Sequence, residues 1–273
     1  PAILSTRRIE TRSDRLVTIA VLPMMSCAGR LPIYMMFVSA LFPSRLQAPV
    51  LFGIYASGVL LALCCARLLK NTLFKAPQRD SLHHMKRLRL PSLRKVGILM
   101  WSRAFMYVRK AGTFILGASI ILWFLNTYPR PEEDTAPTNA AAMEHSYAGQ
   151  IGHWMEPVTQ VAGFDWKINS ALVGAFAAKE IFVTQMGILY AVEDGNSAPA
   201  AQQTLNARLK ASYTPLQGIS IMIFCLIALP CIGTVTVAKR EAGTWWFALA
   251  QFGGLTLLGF ATATLIYQAG LLL

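Results

Sequence analysis

The sequence predicts an all-α protein, a polytopic membrane helix bundle in which some helices are broken at prolines or re-enter the membrane. Three observations carry that prediction. Of 273 residues, 55% are hydrophobic and only 14% are charged, and the apolar residues gather into blocks of helix-spanning length. Two of those blocks are interrupted by cysteine close to proline, at Cys27-Ala28-Gly29-Arg30-Leu31-Pro32 and at Leu229-Pro230-Cys231-Ile232-Gly233-Thr234. A proline lacks an amide donor and leaves carbonyls unpaired, and such backbone is tolerated at membrane depth only where it lines a protein cavity. A third block carries Lys179-Glu180 within an apolar run. An ionised carboxylate at that depth costs about 2.5 to 3.5 kcal/mol unless it is paired or hydrated. Together the three interruptions read as a polar pathway through a membrane.

In chain order the blocks run from Leu16 to Phe42, Ala48 to Leu69, Ala104 to Leu125, Ile168 to Val192, Leu216 to Ala238 and Trp245 to Leu273. Each meets or approaches the roughly 20 apolar residues that a helix needs to span a bilayer. Trp101, Trp123, Trp154, Trp166, Trp245 and Trp246 lie at or near block ends, where an interfacial aromatic belt belongs. A soluble helical bundle would need polar helix faces that these blocks lack. The stretches from Pro129 to Ala142 and from Glu193 to Thr204 are rich in Pro, Ala, Asn and Gly and read as solvated connectors.

The net charge of +12 reads as topology and not as a nucleic-acid surface. Between Arg67 and Lys110 the chain carries Lys70, Lys75, Arg79, Lys86, Arg87, Arg89, Arg94, Lys95 and Arg103 against Asp80 alone, whereas Asn126 to Asp165 carries six acids against Arg130. The positive-inside rule makes the first loop cytoplasmic and the second external. The organisation is then a first gate segment with its following helix (1–69), a basic cytoplasmic linker (70–103), and the remaining helices (104–273) with an external loop at 126–165 and a second gate around 230–241. Lys239-Arg240 lies outside on simple alternation, so either that pair breaks the rule or Leu216 to Gly243 is re-entrant. Pro1 opens a polar, arginine-rich segment with no cleavable signal, which reads as the carboxyl-terminal portion of something larger.

Counting about 1.5 Å per helical residue places Cys27 about 18 Å from Arg15, Glu180 about 18 Å from Ile168 and Cys231 about 24 Å from Pro215, all near the middle of a core roughly 30 Å thick. Thiolate with carbonyl and carboxylate oxygens suits a borderline divalent metal such as ferrous iron, and thiolate alone would also suit zinc or copper. Cys27, Cys231 and Glu180 are therefore the candidate pathway ligands. Pro32, Pro230, Gly29 and Gly233 are the gate backbone, and Arg30 and Lys179 are secondary charge partners. Cys64, Cys65 and Cys225 read as small buried hydrophobes. Met143, Glu144, His145, His153, Met155 and Glu156 read as an amphipathic interfacial helix, or as a cation-gathering mouth. No phosphate-binding loop, HExxH or GxSxG occurs, so the chain is not expected to be an enzyme.

Several separated motifs resemble, in order, the membrane region of the ferrous iron transport protein B family. They are Asp14-Arg15-Leu16, the stretch from Cys27 to Tyr34, Arg109-Lys110-Ala111-Gly112-Thr113, Gly163-Phe164-Asp165-Trp166-Lys167, Ala177-Ala178-Lys179-Glu180, Pro230-Cys231 and Lys239-Arg240-Glu241. Gly29 stands where that family commonly has alanine. The resemblance implies a multi-pass ferrous iron permease of the bacterial inner membrane, with Fe2+ as transported substrate and no other cofactor. Its gate cysteines map onto Cys27 and Cys231, and its membrane glutamate onto Glu180. It also implies an upstream GTP-binding domain, small accessory Feo proteins, a homo-oligomer and membrane lipid as partners, and no nucleic acid. The residues leave two other readings open: a transporter of Mn2+ or Zn2+, and a non-transporting membrane scaffold or sensor subunit.

Overall fold

The computed structural model describes residues 2–9, 11–72, 92–129, 144–191, 198–228 and 230–272, and among them every regular element is helical. After a helical turn at Ala2–Ser5 come α1 (Arg12–Val21), α2 (Leu31–Leu41), α3 (Ser44–Thr72), α4 (Leu93–Thr127), α5 (Tyr147–Thr159), α6 (Trp166–Ala177), α7 (Lys179–Ala191), α8 (Ala198–Ser212), α9 (Pro215–Ile227), α10 (Ile232–Ala242) and α11 (Trp245–Leu272). Local chemistry sets several starts. Asp165 caps α6 by accepting from Ile168 N at 2.9 Å, and Thr214 with Gln217 forms a reciprocal capping box ahead of Pro215. Four stretches are long and apolar enough to cross a membrane: Arg12–Leu41, Ser44–Thr72, Pro215–Ala242 and Trp245–Leu272.

The block from Ile168 to Val192 is not a single span. It is a hairpin, with α6 and α7 packed together and the backbone extended at Ala178 (φ −151°, ψ 133°). Both open ends of the hairpin meet at one place. Tyr213, just before α9, donates through its hydroxyl to Asp165 at 2.8 Å, and Tyr190 near the end of α7 donates to the Tyr213 hydroxyl at 3.1 Å. α6 and α7 therefore begin and end at the same end of the bundle, the end at which Asp165 sits. Sequence alone missed this break because no proline marks it.

That hairpin decides the question left open at Lys239-Arg240. With α7 returning to the Asp165 end, α9 starts there too, beside Gly163, whose carbonyl accepts from Gln217 at 3.3 Å. α9 and α10 then run from that end of the bundle to the opposite one, and α6–α7 is the segment that turns back. At the opposite end, Arg7 holds both carboxylate oxygens of Glu241, and Arg15 donates to the Glu241 carbonyl at 3.1 Å. Lys70 pairs with Asp14 at 3.0 Å on the same side. Lys239-Arg240 therefore lies at the same basic end of the bundle as Arg7, Arg15 and Lys70, which is what the positive-inside rule expects of one face.

Two further expectations change. The helix expected from Ala104 to Leu125 begins at Leu93 and has 35 residues, about 52 Å long, so it extends beyond a core of roughly 30 Å and absorbs part of the basic linker. The connector expected from Glu193 to Thr204 is helical from Ala198. There α8 packs on α2 with Leu209 fully buried, a helix favoured by its Ala, Gln, Leu and Arg content. His153, Met155 and Glu156 lie on α5, which packs on α6. The linker positions 73–91, including His83 and His84, and Met143 lie outside the described residues.

The core lies where α2, α6, α7 and α9 meet, around Tyr34, Phe37, Phe164, Ile168, Phe182, Met186, Ile221 and Met222. Phe52 on α3, Trp101 on α4 and Trp246 and Leu257 on α11 point outward, as lipid-facing side chains do. Apolar contact gains little from water release inside a bilayer, so packing and interhelical hydrogen bonds hold such a bundle. Asn126 and Gln185 pair amide to amide at 2.9 Å in both directions, joining α4 to α7. Ser220 donates to Ala162 O at 2.7 Å and ties α9 to the turn before α6.

Candidate functional site

Two helix breaks leave carbonyls without their usual partners, and at each a side chain engages backbone across the gap. The first break runs from the end of α1 to the start of α2. Pro23 cannot donate to Ile19 O, and Gln251 on α11 does so instead at 2.7 Å, reaching Ala20 O at 3.3 Å. Beyond it, Met25 and Cys27 are extended, and Arg30 folds back to Met25 O at 3.1 Å. Pro32 sits in the first turn of α2, where a missing amide is not needed, so it starts the second half-helix and Pro23 helps end the first.

The second break separates α9 from α10. Ala228 and Cys231 are extended and Pro230 is buried between them. Lys179, at the tip of the hairpin, crosses to this break and donates to Cys225 O at 2.9 Å and Ala228 O at 3.0 Å. The cation that these freed carbonyls face is thus an ammonium. Gly259 on α11 makes the fit possible, since a Cβ there would lie 2.8 Å from Ala228 Cβ and 3.1 Å from Ala228 N. Cys231 stands at the N-cap position of α10 without a side-chain cap, its sulfur 3.2 Å from Thr234 Oγ1.

These breaks converge. Arg30, Cys27, Cys225 and Cys231 all lie within electrostatic reach of the Lys179 ammonium. Glu180, one residue along, lays its carboxylate against Gly29, where a Cβ would lie 2.6 Å from Oε1. The absence of a side chain at Gly29 is what admits that carboxylate. Cys27 and Glu180 are exposed, Cys231 is half-buried, and Gly233 is exposed beside it. Arg30 and Lys179 are 2% and 5% exposed, and among the described residues neither has a carboxylate ion-pair partner. Among the described residues no three His, Cys, Asp or Glu side chains form a group that could hold a metal ion. Cys27, Cys231 and Glu180 thus share a neighbourhood with two buried cations and do not form a closed ligand set.

Beside the start of α6, His153 lies between Glu144 at 3.5 Å and Glu156 at 3.2 Å and stacks on Trp166. Gln251, the Asn126–Gln185 pair and the Tyr190–Tyr213–Asp165 chain escaped sequence reasoning, since a polar residue in an apolar run does not reveal which backbone or side chain it meets.

A family described as nucleoside recognition, the Gate family, matches residues 108–245, and one described as ferrous iron transport protein B C terminus matches residues 51–103. The chain belongs to the ferrous iron transport protein B family. It is 35% identical to an Fe(2+) transport protein A/Fe(2+) transporter FeoB fusion protein of Porphyromonas gingivalis, covering 100% of this chain and 36% of that relative. Against the Fe(2+) transporter FeoB of Campylobacter jejuni the identity is 35%, over 92% of this chain and 41% of the relative. The Methanocaldococcus jannaschii transporter of the same name is 34% identical, with shares of 100% and 40%. The chain therefore spans roughly two fifths of the length of these ferrous iron transport protein B relatives. No solved structure matches it.

Proposed function

We propose that the chain forms the carboxyl-terminal permease part of a ferrous iron transporter, moving Fe2+ through a path between the two broken helices and the hairpin tip. Cys27 and Cys231 supply soft sulfur and Glu180 supplies charge. The observation that carries this reading is the convergence of both cysteine-bearing breaks and the glutamate-bearing tip in one neighbourhood, from three separate stretches of sequence. Discontinuous helices with freed carbonyls are where transporters of several folds hold their ions. Gating is a hinge motion of the half-helices, with Pro32, Pro230, Gly29 and Gly233 at the ends that move.

The relatives' greater length supports an upstream domain in the same polypeptide, which we take to be GTP-binding, and the fusion of the Porphyromonas gingivalis relative with an Fe(2+) transport protein A supports a small accessory partner. The setting is the bacterial inner membrane, with a homo-oligomer as the working assembly.

The test is Fe2+ flux into liposomes by the full-length protein carrying Cys27→Ser, Cys231→Ser or Glu180→Gln. Each should insert normally and lose most of its flux, and competition by Mn2+ and Zn2+ reads the selectivity. Wild-type flux in all three variants would overturn the path, and tolerance of alanine at all three positions would point to a non-transporting scaffold or sensor.

A further inference from the structure

We propose that Lys179 is a tethered cation that occupies the dication position at the second break in the resting state, so that the path opens when the hairpin withdraws it. The inference rests on the transport reading and specifies what holds that path closed.

Chemistry at the break motivates it. The carboxyl end of α9 presents the freed carbonyls of Cys225 and Ala228 together with the negative end of the helix dipole, an arrangement that attracts cations. The Lys179 ammonium sits there, 5% exposed, on both oxygens. An arriving dication would need the same oxygens and would meet the ammonium's charge in a medium that screens it weakly.

A second buried charge reinforces the barrier. Arg30 is 2% exposed, donates to Met25 O, leaves its Nε without a partner, and acts electrostatically on Lys179. Among the described residues no carboxylate is ion-paired to either cation, and the Glu180 carboxylate lies against Gly29 instead. That suits a closed gate and would oppose a conducting dication.

Position supplies the moving part. Lys179 is the first residue of α7, directly after the extended Ala178 at the hairpin tip, so its ammonium is carried by the bend itself. A shift of the tip would draw Lys179 off the carbonyls and move the neighbouring Glu180 carboxylate with it. One displacement would remove a positive charge from the path and reposition a negative one.

The competing account is that Lys179 only caps α9. Lys179→Met deletes the charge and the donor, and Lys179→Gln keeps a donor without the charge in case the first variant folds poorly. In full-length protein in liposomes with no added nucleotide, basal Fe2+ leak should rise about tenfold in both, the change given by a barrier lowered by about 1.4 kcal/mol. Lys179→Arg should stay closed. In detergent, Mn2+ should raise the melting temperature of the Lys179→Met protein by several degrees more than that of wild type, because the ion takes the vacated carbonyls. A Lys179→Met protein that melts lower, does not respond to Mn2+ and leaks no more than wild type would make the residue a cap and overturn the proposal. Absence of Fe2+ flux from wild type would refute the transport reading alone, since the Mn2+ melt reads the carbonyl site without any transport.

Discussion

A cysteine at position 212 should react from the external face of the membrane, and a cysteine at position 240 from the cytoplasmic face. Both positions are exposed, on either side of α9 and α10. The expectation follows from the length of the hairpin. With 12 residues in α6 and 13 in α7, its arms are about 18 and 20 Å long, enough to reach roughly two thirds of the way into a 30 Å core and return. Had the same residues formed one continuous helix, it would measure about 38 Å and deliver Ser212 to the opposite face. The two topologies thus place position 212 about 30 Å apart, across the whole hydrocarbon layer. The assay uses full-length protein with its five native cysteines replaced, single cysteines introduced as Ser212→Cys or Arg240→Cys, and a membrane-impermeant maleimide applied to intact cells or to inverted vesicles. Labelling of position 212 only in inverted vesicles would refute the re-entrant hairpin. Labelling of both positions from one face would mean that α9 and α10 do not cross.

Burial raises the Asp165 pKa above its ordinary value of 3.8, against the opposing pull of Ile168 N–H, the Tyr213 hydroxyl and Lys167. The folded state therefore binds this proton more tightly than the unfolded chain, and the contribution is full below the ordinary value and lost as pH rises through the elevated one. Asp165→Asn keeps an acceptor for the cap and should flatten that part of the pH–stability curve, whereas Asp165→Ala should cost about 1 kcal/mol for the cap alone; detergent melts across pH 4 to 8 compare them. Gln251→Leu leaves the Ile19 and Ala20 carbonyls unpaired and should destabilise by about 1 to 3 kcal/mol, read by the same melts, with wild-type stability refuting the role given to Gln251. Gly29→Ala should change stability by less than about 1 kcal/mol because the Glu180 carboxylate can swing aside, while Gly259→Ala presses on the backbone at Ala228 and should cost about 1 to 3 kcal/mol. Equal melting temperatures for the two glycine variants would contradict that contrast.

The sequence made the membrane setting, the helical class and the first two breaks legible because proline and composition act locally: a missing amide or an apolar run of 20 residues has the same meaning wherever the chain goes. It also supplied the charge asymmetry that orients the bundle. The bend at Ala178 was not legible, because an extended alanine among alanines carries no local signature and is held by a partner 46 residues away, through Lys179 on Cys225 O. One unseen bend reversed the direction of everything after it, which is why Lys239-Arg240 looked misplaced until Arg7 and Arg15 were found beside Glu241. At the site, the cysteines and glutamate stood out by type, but the state of the path depended on where Arg30 and Lys179 placed their charges.

The contact from Gln251 to Ile19 and Ala20 bears on whether the first gate can be treated as a portable motif. Pro23 ends a half-helix only because an amide from the last helix, more than two hundred positions downstream, accommodates the oxygens it strands. A graft of residues 22–32 into another pair of helices would carry the cysteine and both prolines and still leave dangling oxygens in a dry interior, so the host would straighten or unfold there. The transplantable unit is the break together with its distant amide. A chimera exchanging amino-terminal segments between such proteins should succeed only where the recipient already places a donor at the height of position 251.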